Sequence, residues 1–143
     1  MPWYVAALAA AVVWGLHYPL VAHALRHLSA VGVLALTIVG IAALAVVNMK
    51  AIGHDLVALR GLAARERGLI LLLPLTSLLG SWLLYVSIGQ KNATLASLIE
   101  ISYPVFVALF AYILFREMAL DALTLLGAAL VFAGVGLIIW HRP

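Results

Sequence analysis

The chain has 143 residues, of which 67% are apolar and only 9% charged, with a net charge of +3. A soluble domain is nearer half apolar and a quarter charged, so one aqueous core of this length cannot bury the apolar surface present, and lipid must be the solvent for much of it. The absence of cysteine excludes a disulfide framework and a thiolate metal site. The small positive charge lies mostly between apolar stretches and lacks the basic face that nucleic-acid binding needs, so no nucleic-acid partner is expected.

A membrane-crossing helix takes roughly 20 apolar residues at about 1.5 Å each, and five windows meet that length. The first runs from about Trp3 to Leu25 (3–25) and stops at Arg26-His27. It has no basic residue before Arg26, which argues against a signal peptide and for a retained span. The second runs from about Ala30 to Met49 (30–49), and the third from Leu69 to Gly89 (69–89), ending at Gln90-Lys91-Asn92. The fourth runs from Ala93 to Phe115 (93–115) and ends at Arg116-Glu117; the fifth runs from Ala122 to Trp140 (122–140) and ends at His141-Arg142. The expected fold is all-α: one integral membrane domain over residues 1–143, a bundle of five transmembrane helices.

One connection is long. Between Lys50 and Gly68, Leu56, Leu59 and Leu62 recur every three residues, and Asp55 is placed to cap a short surface helix carrying that stripe. A polar loop with a few anchoring leucines is the alternative. Lys50, Arg60, Arg65, Arg67 and Arg116 fall on one side of the five-span arrangement, and Arg26, Lys91 and Arg142 on the other. The side richer in Lys and Arg is expected inside, which puts the N-terminus in the cytoplasm with a bias weak enough to permit insertion both ways. Trp3, Tyr4 and Trp140 suit the headgroup level at span ends.

Ionisable residues within spans cost a few kcal/mol on insertion scales and need a partner or a water-filled cavity. Glu100 is placed about seven residues into the fourth span, roughly 10 Å deep. Ser97 and Tyr103 stand three positions either side of it, and Pro104 removes the amide that would bond its carbonyl, so a kink is expected there. Proton or cation binding is one reading of Glu100; a protonated acid bonded across a helix interface, or an interfacial glutamate, are the others. In the first span Trp14 and His17 precede Pro19, a second kink position. His17 is read either as a site residue or as a histidine hydrogen-bonded to a neighbouring helix. Counting from the span ends puts His17, Thr37, Ser81, Trp82 and Glu100 in one layer.

On the third span Pro74 opens the backbone, and Ser77, Ser81 and Tyr85 are spaced by four, as one polar face or as hydroxyls that bond their own helix. The fifth span is a packing helix whose Gly127, Ala129, Ala133 and Gly134 suit close approach. His23 and His27, four apart, have a spacing that a metal accepts, with headgroup contact as the alternative. There is no phosphate loop and no nucleophile–base pair, so no enzymatic activity, cofactor or metal is expected.

Several segments together resemble a known family. They are Ala93-Thr-Leu-Ala-Ser-Leu-Ile-Glu-Ile-Ser-Tyr-Pro104-Val-Phe, then Phe115-Arg-Glu117, then the Gly127–Val135 segment, with Trp14-Gly15 and Pro19 upstream. In order and spacing they resemble an EamA-type domain of the drug/metabolite transporter superfamily across essentially the whole chain. The Gly127–Val135 segment is also distantly similar to the last helix of the small multidrug resistance transporters, where that helix mediates dimerisation. Those proteins carry their essential glutamate on the first helix, whereas this chain has His17 there and its buried Glu on the fourth.

The resemblance implies a membrane transporter of small metabolites or drug-like molecules in the plasma (inner) membrane, working by alternating access. Family members usually join two five-helix units, the second inverted because five is odd. One unit then implies a dimer, either an antiparallel homodimer or a heterodimer with a paralogue. Glu100 would couple protons, with His17, Tyr103, Trp82, Trp14 and Ser81 lining the substrate site, and Gly127, Ala129, Ala133 and Gly134 holding the dimer. The alternatives are a non-transporting membrane subunit and a lipid-carrier flippase subunit.

Overall fold

The computed structural model describes residues 1–117 and 121–140, which contain α-helices and no strands. In chain order these are α1 (Trp3–Ala24), α2 (Ala30–Val47), α3 (Met49–Gly61), α4 (Ala64–Leu71), α5 (Leu73–Gln90), α6 (Ala93–Glu100), α7 (Tyr103–Phe115) and α8 (Ala122–Trp140). Five stretches are long and apolar enough to cross a membrane: α1, α2, α4 with α5 (Ala64–Gln90), α6 with α7 (Ala93–Phe115), and α8. The protein is an all-α, multi-pass membrane protein. His141 and Arg142, expected to end the last span, lie outside the described residues.

Helix ends follow local chemistry. Ser29 caps α2 by accepting the Gly32 amide at 3.2 Å, and Asn92 caps α6 by accepting the Leu95 amide at 2.8 Å. The second span closes at Val47, two residues before the expected end. There the side-chain amide of Asn48 donates back to the Leu44 carbonyl at 2.9 Å, and its backbone leaves the helical region (φ −108°, ψ 25°). The third span starts earlier than expected, at Ala64, and changes step at Leu72. Pro74 has no amide to offer Ile70, and the Leu72 amide instead bonds Leu69 at 3.2 Å in a tighter turn. Its 27 residues measure about 40 Å against a hydrocarbon layer of about 30 Å, so its polar first turns extend beyond the core.

Two expectations for the long connection need correction. It is helical over Met49–Gly61, and Asp55 lies within that helix, not at its cap. Leu62 is the extended residue that ends it (ψ 152°), so it leaves the expected leucine stripe.

The chain divides into two compact units, 1–90 and 91–143. In the first, α5 packs against both α1 and α2. The packed residues of α5 (Ser81, Leu84, Tyr85, Ile88) keep i, i+3, i+4, i+7 spacing, facing His17, Val21 and Leu25 on one line of α1. α1 and α5 run parallel there: His17 meets Tyr85, and a Cβ on Gly89 would touch Leu25 at 3.8 Å. Val21, Val33, Leu34, Tyr85 and Ile88 form this unit's buried core. It lies towards the α1–α2 turn, while residues 71–80 of α4 and α5 are exposed.

In the second unit α6 packs on α8, and Phe106 meets Phe132 edge to face at 6.1 Å. α7 stops at Arg116, the only non-glycine residue with positive φ (60°) among those described. Its guanidinium lies 5.4 Å from the centre of the Tyr112 ring. Glycine usually fills such a left-handed stop, and another residue pays about 1 kcal/mol for it. α8 opens with Asp121, whose carboxylate accepts the Thr124 amide at 2.7 Å. Hydrogen bonds from the Thr124 hydroxyl and amide hold the Asp121 carboxyl below its ordinary value.

Candidate functional site

In the first unit the structure joins two polar side chains from different spans. His17 Nε2 lies 3.2 Å from the Tyr85 hydroxyl, linking α1 to α5. Tyr85 is 4% exposed. Trp14 meets the His17 ring edge to face at 5.1 Å, and Tyr18 lies 6.0 Å from Trp14. The pair has two hydrogen-bonding arrangements. With the proton on Nδ1 alone, the phenol donates to Nε2; with a proton on Nε2, the imidazole donates to the phenol oxygen instead. α1, α2 and α5 contain no Asp, Glu, Lys or Arg, so these helices offer His17 no counter-charge. The reading of His17 as hydrogen-bonded to a neighbouring helix is realised, and its partner is Tyr85.

Tyr85 figured in the sequence only as the end of a polar face with Ser77 and Ser81. Ser81 shares the packed face of α5 with Tyr85, whereas Ser77 is exposed. Trp82 points off that face and is 38% exposed. Thr37 spends its hydroxyl on the Leu34 carbonyl of its own helix at 2.8 Å.

In the second unit Glu100 is the last residue of α6. It is half-buried on the line Ala93, Ala96, Ser97, Glu100 that forms the packed side of α6. The fourth span is interrupted immediately after it. Ile101 and Ser102 form a turn in which the Ser102 amide bonds Ile99 at 3.2 Å and the Val105 amide bonds Ser102 at 3.2 Å. Pro104 sits in the first turn of α7, the position where a missing amide costs least. The Ser97 hydroxyl, within α6, and the Ser102 hydroxyl, in the turn, both donate to carbonyls of α6, Thr94 and Ile99, at 2.9 Å. Tyr103 opens α7 and is 59% exposed, so the three-residue spacing that would place it on Glu100's face crosses the turn. α1, by contrast, stays helical through Pro19.

The break also leaves an apolar groove of about 230 Å³ between α7 and α8, lined by residues including Ile101, Pro104, Ala108, Thr124 and Gly127. On α8 the four small residues do not share a face. Gly127 and Gly134, seven apart, lie on one line, and a Cβ on either would meet nothing within 4 Å. Ala129 and Ala133 lie on the exposed far side, because two residues along a helix turn it by about 200°. Among the described residues no group of three His, Cys, Asp or Glu could hold a metal; the His23 and His27 rings lie 5.2 Å apart.

The arrangement is that of a membrane protein with two polar points at depth, one a side-chain pair across helices and one a carboxyl at a break in a helix. No curated protein and no solved structure matches the chain. The model of the EamA-like transporter family matches residues 1–140. The chain therefore belongs to the EamA-like transporter family.

Proposed function

We propose that the protein carries small metabolites or drug-like molecules across the plasma membrane by alternating access, coupled to protons through Glu100. Members of its family are transporters rather than enzymes. The observation that carries the reading is the interruption of the fourth span directly after Glu100. Transporter sites form where spanning helices are discontinuous, because broken backbone is tolerated at depth only beside protein or a water-filled cavity. Ser81, Trp82, Trp14 and His17 are the proposed lining in the first unit, and Tyr103 is proposed to act with Glu100 in the second.

In this reading a second, inverted five-helix unit completes the pseudo-two-fold, supplied by a second copy or by an oppositely inserted paralogue. The near-balance of Lys and Arg supports insertion both ways. Ala129 and Ala133, small and exposed on the far side of α8, suit close approach by another helix.

The test is proton flux into proteoliposomes, followed with a pH-sensitive dye while a panel of cationic dyes and metabolites is added. Glu100→Gln is expected to abolish flux while leaving helix content and melting unchanged. Normal flux from the Gln variant would make Glu100 structural. Single cysteines at the two termini, in a chain with none of its own, test the dimer in cells. Labelling of each terminus from both sides is expected, and labelling from one side only rules out the antiparallel homodimer.

A further inference from the structure

α3 has no evident reason to be a helix on its own account. It has 13 residues, no side-chain hydrogen bond at its N-terminal cap and no buried residue. Gly53 sits in its interior, where glycine is a poorer helix former than alanine. Isolated helices shorter than about 12–15 residues are marginal in water, and helices this short usually depend on packing an apolar face. Asn48, which precedes it, uses its side-chain amide on α2.

Such a face exists, and among the described residues it is left largely uncovered, with only Leu59 half-buried. Met49, Ile52, Leu56 and Leu59 are spaced by three, four and three, so at about 100° per residue they fall within roughly 80° of arc. Met49 is 68% exposed, Ile52 37% and Leu56 54%. His54, Ala58 and Gly61 lie on the opposite side.

What lies beside this face follows from the neighbouring elements. α2 and the Ala64–Gln90 stretch are both membrane spans, and only Asn48 and the pair Leu62-Ala63 separate them from α3. A helix tethered at both ends to spans stays within a few residues of the bilayer surface. Charge points to the kind of lipid. Lys50, Arg60, Arg65 and Arg67 outnumber Asp55 and Glu66 by two along α3 and the first turns of α4. Each such cation near an anionic leaflet adds to the attraction.

We propose that α3 lies along the headgroup boundary with its Met49–Ile52–Leu56–Leu59 line inserted and its basic residues on anionic phospholipid headgroups. The inference does not depend on transport or on any substrate.

The native chain lacks cysteine, so L56C, I52C and A58C each carry one spin label. Each labelled protein is reconstituted into vesicles of phosphatidylcholine alone and of phosphatidylcholine with 30% phosphatidylglycerol, and collision with oxygen and with a water-soluble nickel chelate is measured. Labels at 52 and 56 are expected to favour oxygen over nickel severalfold more than the label at 58. Phosphatidylglycerol should widen that contrast, and R60Q/R65Q/R67Q should remove the widening. Equal nickel access at 52, 56 and 58 would overturn the proposal. A contrast that is the same in both vesicles would overturn the assignment to anionic lipid.

Discussion

The two units place polar groups in an apolar setting by different means. In the first, α1 stays helical through Pro19, and the polar atoms at depth are matched side chain to side chain, His17 to Tyr85. Its one broken span changes step at Leu72, the ninth residue of a 27-residue stretch whose first turns extend past the hydrocarbon. In the second, the backbone itself gives way eight residues into the fourth span, next to the carboxyl of Glu100. A side-chain pair ties two helices together; a backbone break interrupts the ladder of amide-to-carbonyl bonds within one helix. The difference teaches that one unit joins polar side chains across helices while the other interrupts a helix beside its carboxyl.

The largest expected effect is the loss of proton flux on Glu100→Gln, since a neutral isostere keeps the shape and removes the titration. Next is Pro104→Ala, which supplies the amide that could bond the Glu100 carbonyl. In a continuous fourth span Pro104 would be mid-helix at a cost of about 3 kcal/mol or more, so the alanine variant should heal the break and slow hydrogen exchange at residues 101–103. Exchange that stays fast would show that Glu100 and its neighbours, not the proline, maintain the turn. Tyr85→Phe tests the other unit. Loss of the bond to His17 should cost about 1 kcal/mol, since hydrogen bonds between helices in membranes average about 0.6 and reach about 1.7. A double-mutant cycle with His17→Leu should return most of that as coupling, and additive costs would mean that the pair contributes nothing.

Asp121→Ala should have the smallest effect, a slight fall in melting temperature. The pH dependence of that contribution has a definite sign. The folded carboxyl titrates below its ordinary 3.8, so its contribution is fully present above that value and is lost as pH falls through the lower, folded one. Fraying of the first turn of α8 below about pH 4, followed by amide exchange at Thr124, checks it; the alanine variant should show no such acid step.

Much of this was legible in the residues. Lipid-length apolar runs set the five spans, since length and hydropathy are properties of each segment alone. Pro74 and Pro104 announced the breaks in the third and fourth spans, whereas Asn48 was read as part of the second span. Other features were harder to read. Asp121 is followed at the right spacing by Thr124 and an apolar run, a cap signal that was there to be found. The helical reach of α3 was obscured by its glycines and by Asp55, whose usual place is a cap. On α8, four small residues read as one interface fall on two faces, which a helical count alone would have shown.

The sequence by itself determined that this is a multi-pass α-helical membrane protein, where its spans lie, and that Glu100 and His17 are the ionisable groups to watch. Those conclusions rest on local composition and on the cost of taking charge into hydrocarbon. Only the tertiary structure decided that Tyr85 is His17's partner, that Ser81 stands on the packed face while Trp82 does not, and that α6 turns Glu100 to its packed side. Residue spacing gives depth along each helix, but rotation about the axis depends on how neighbouring helices pack.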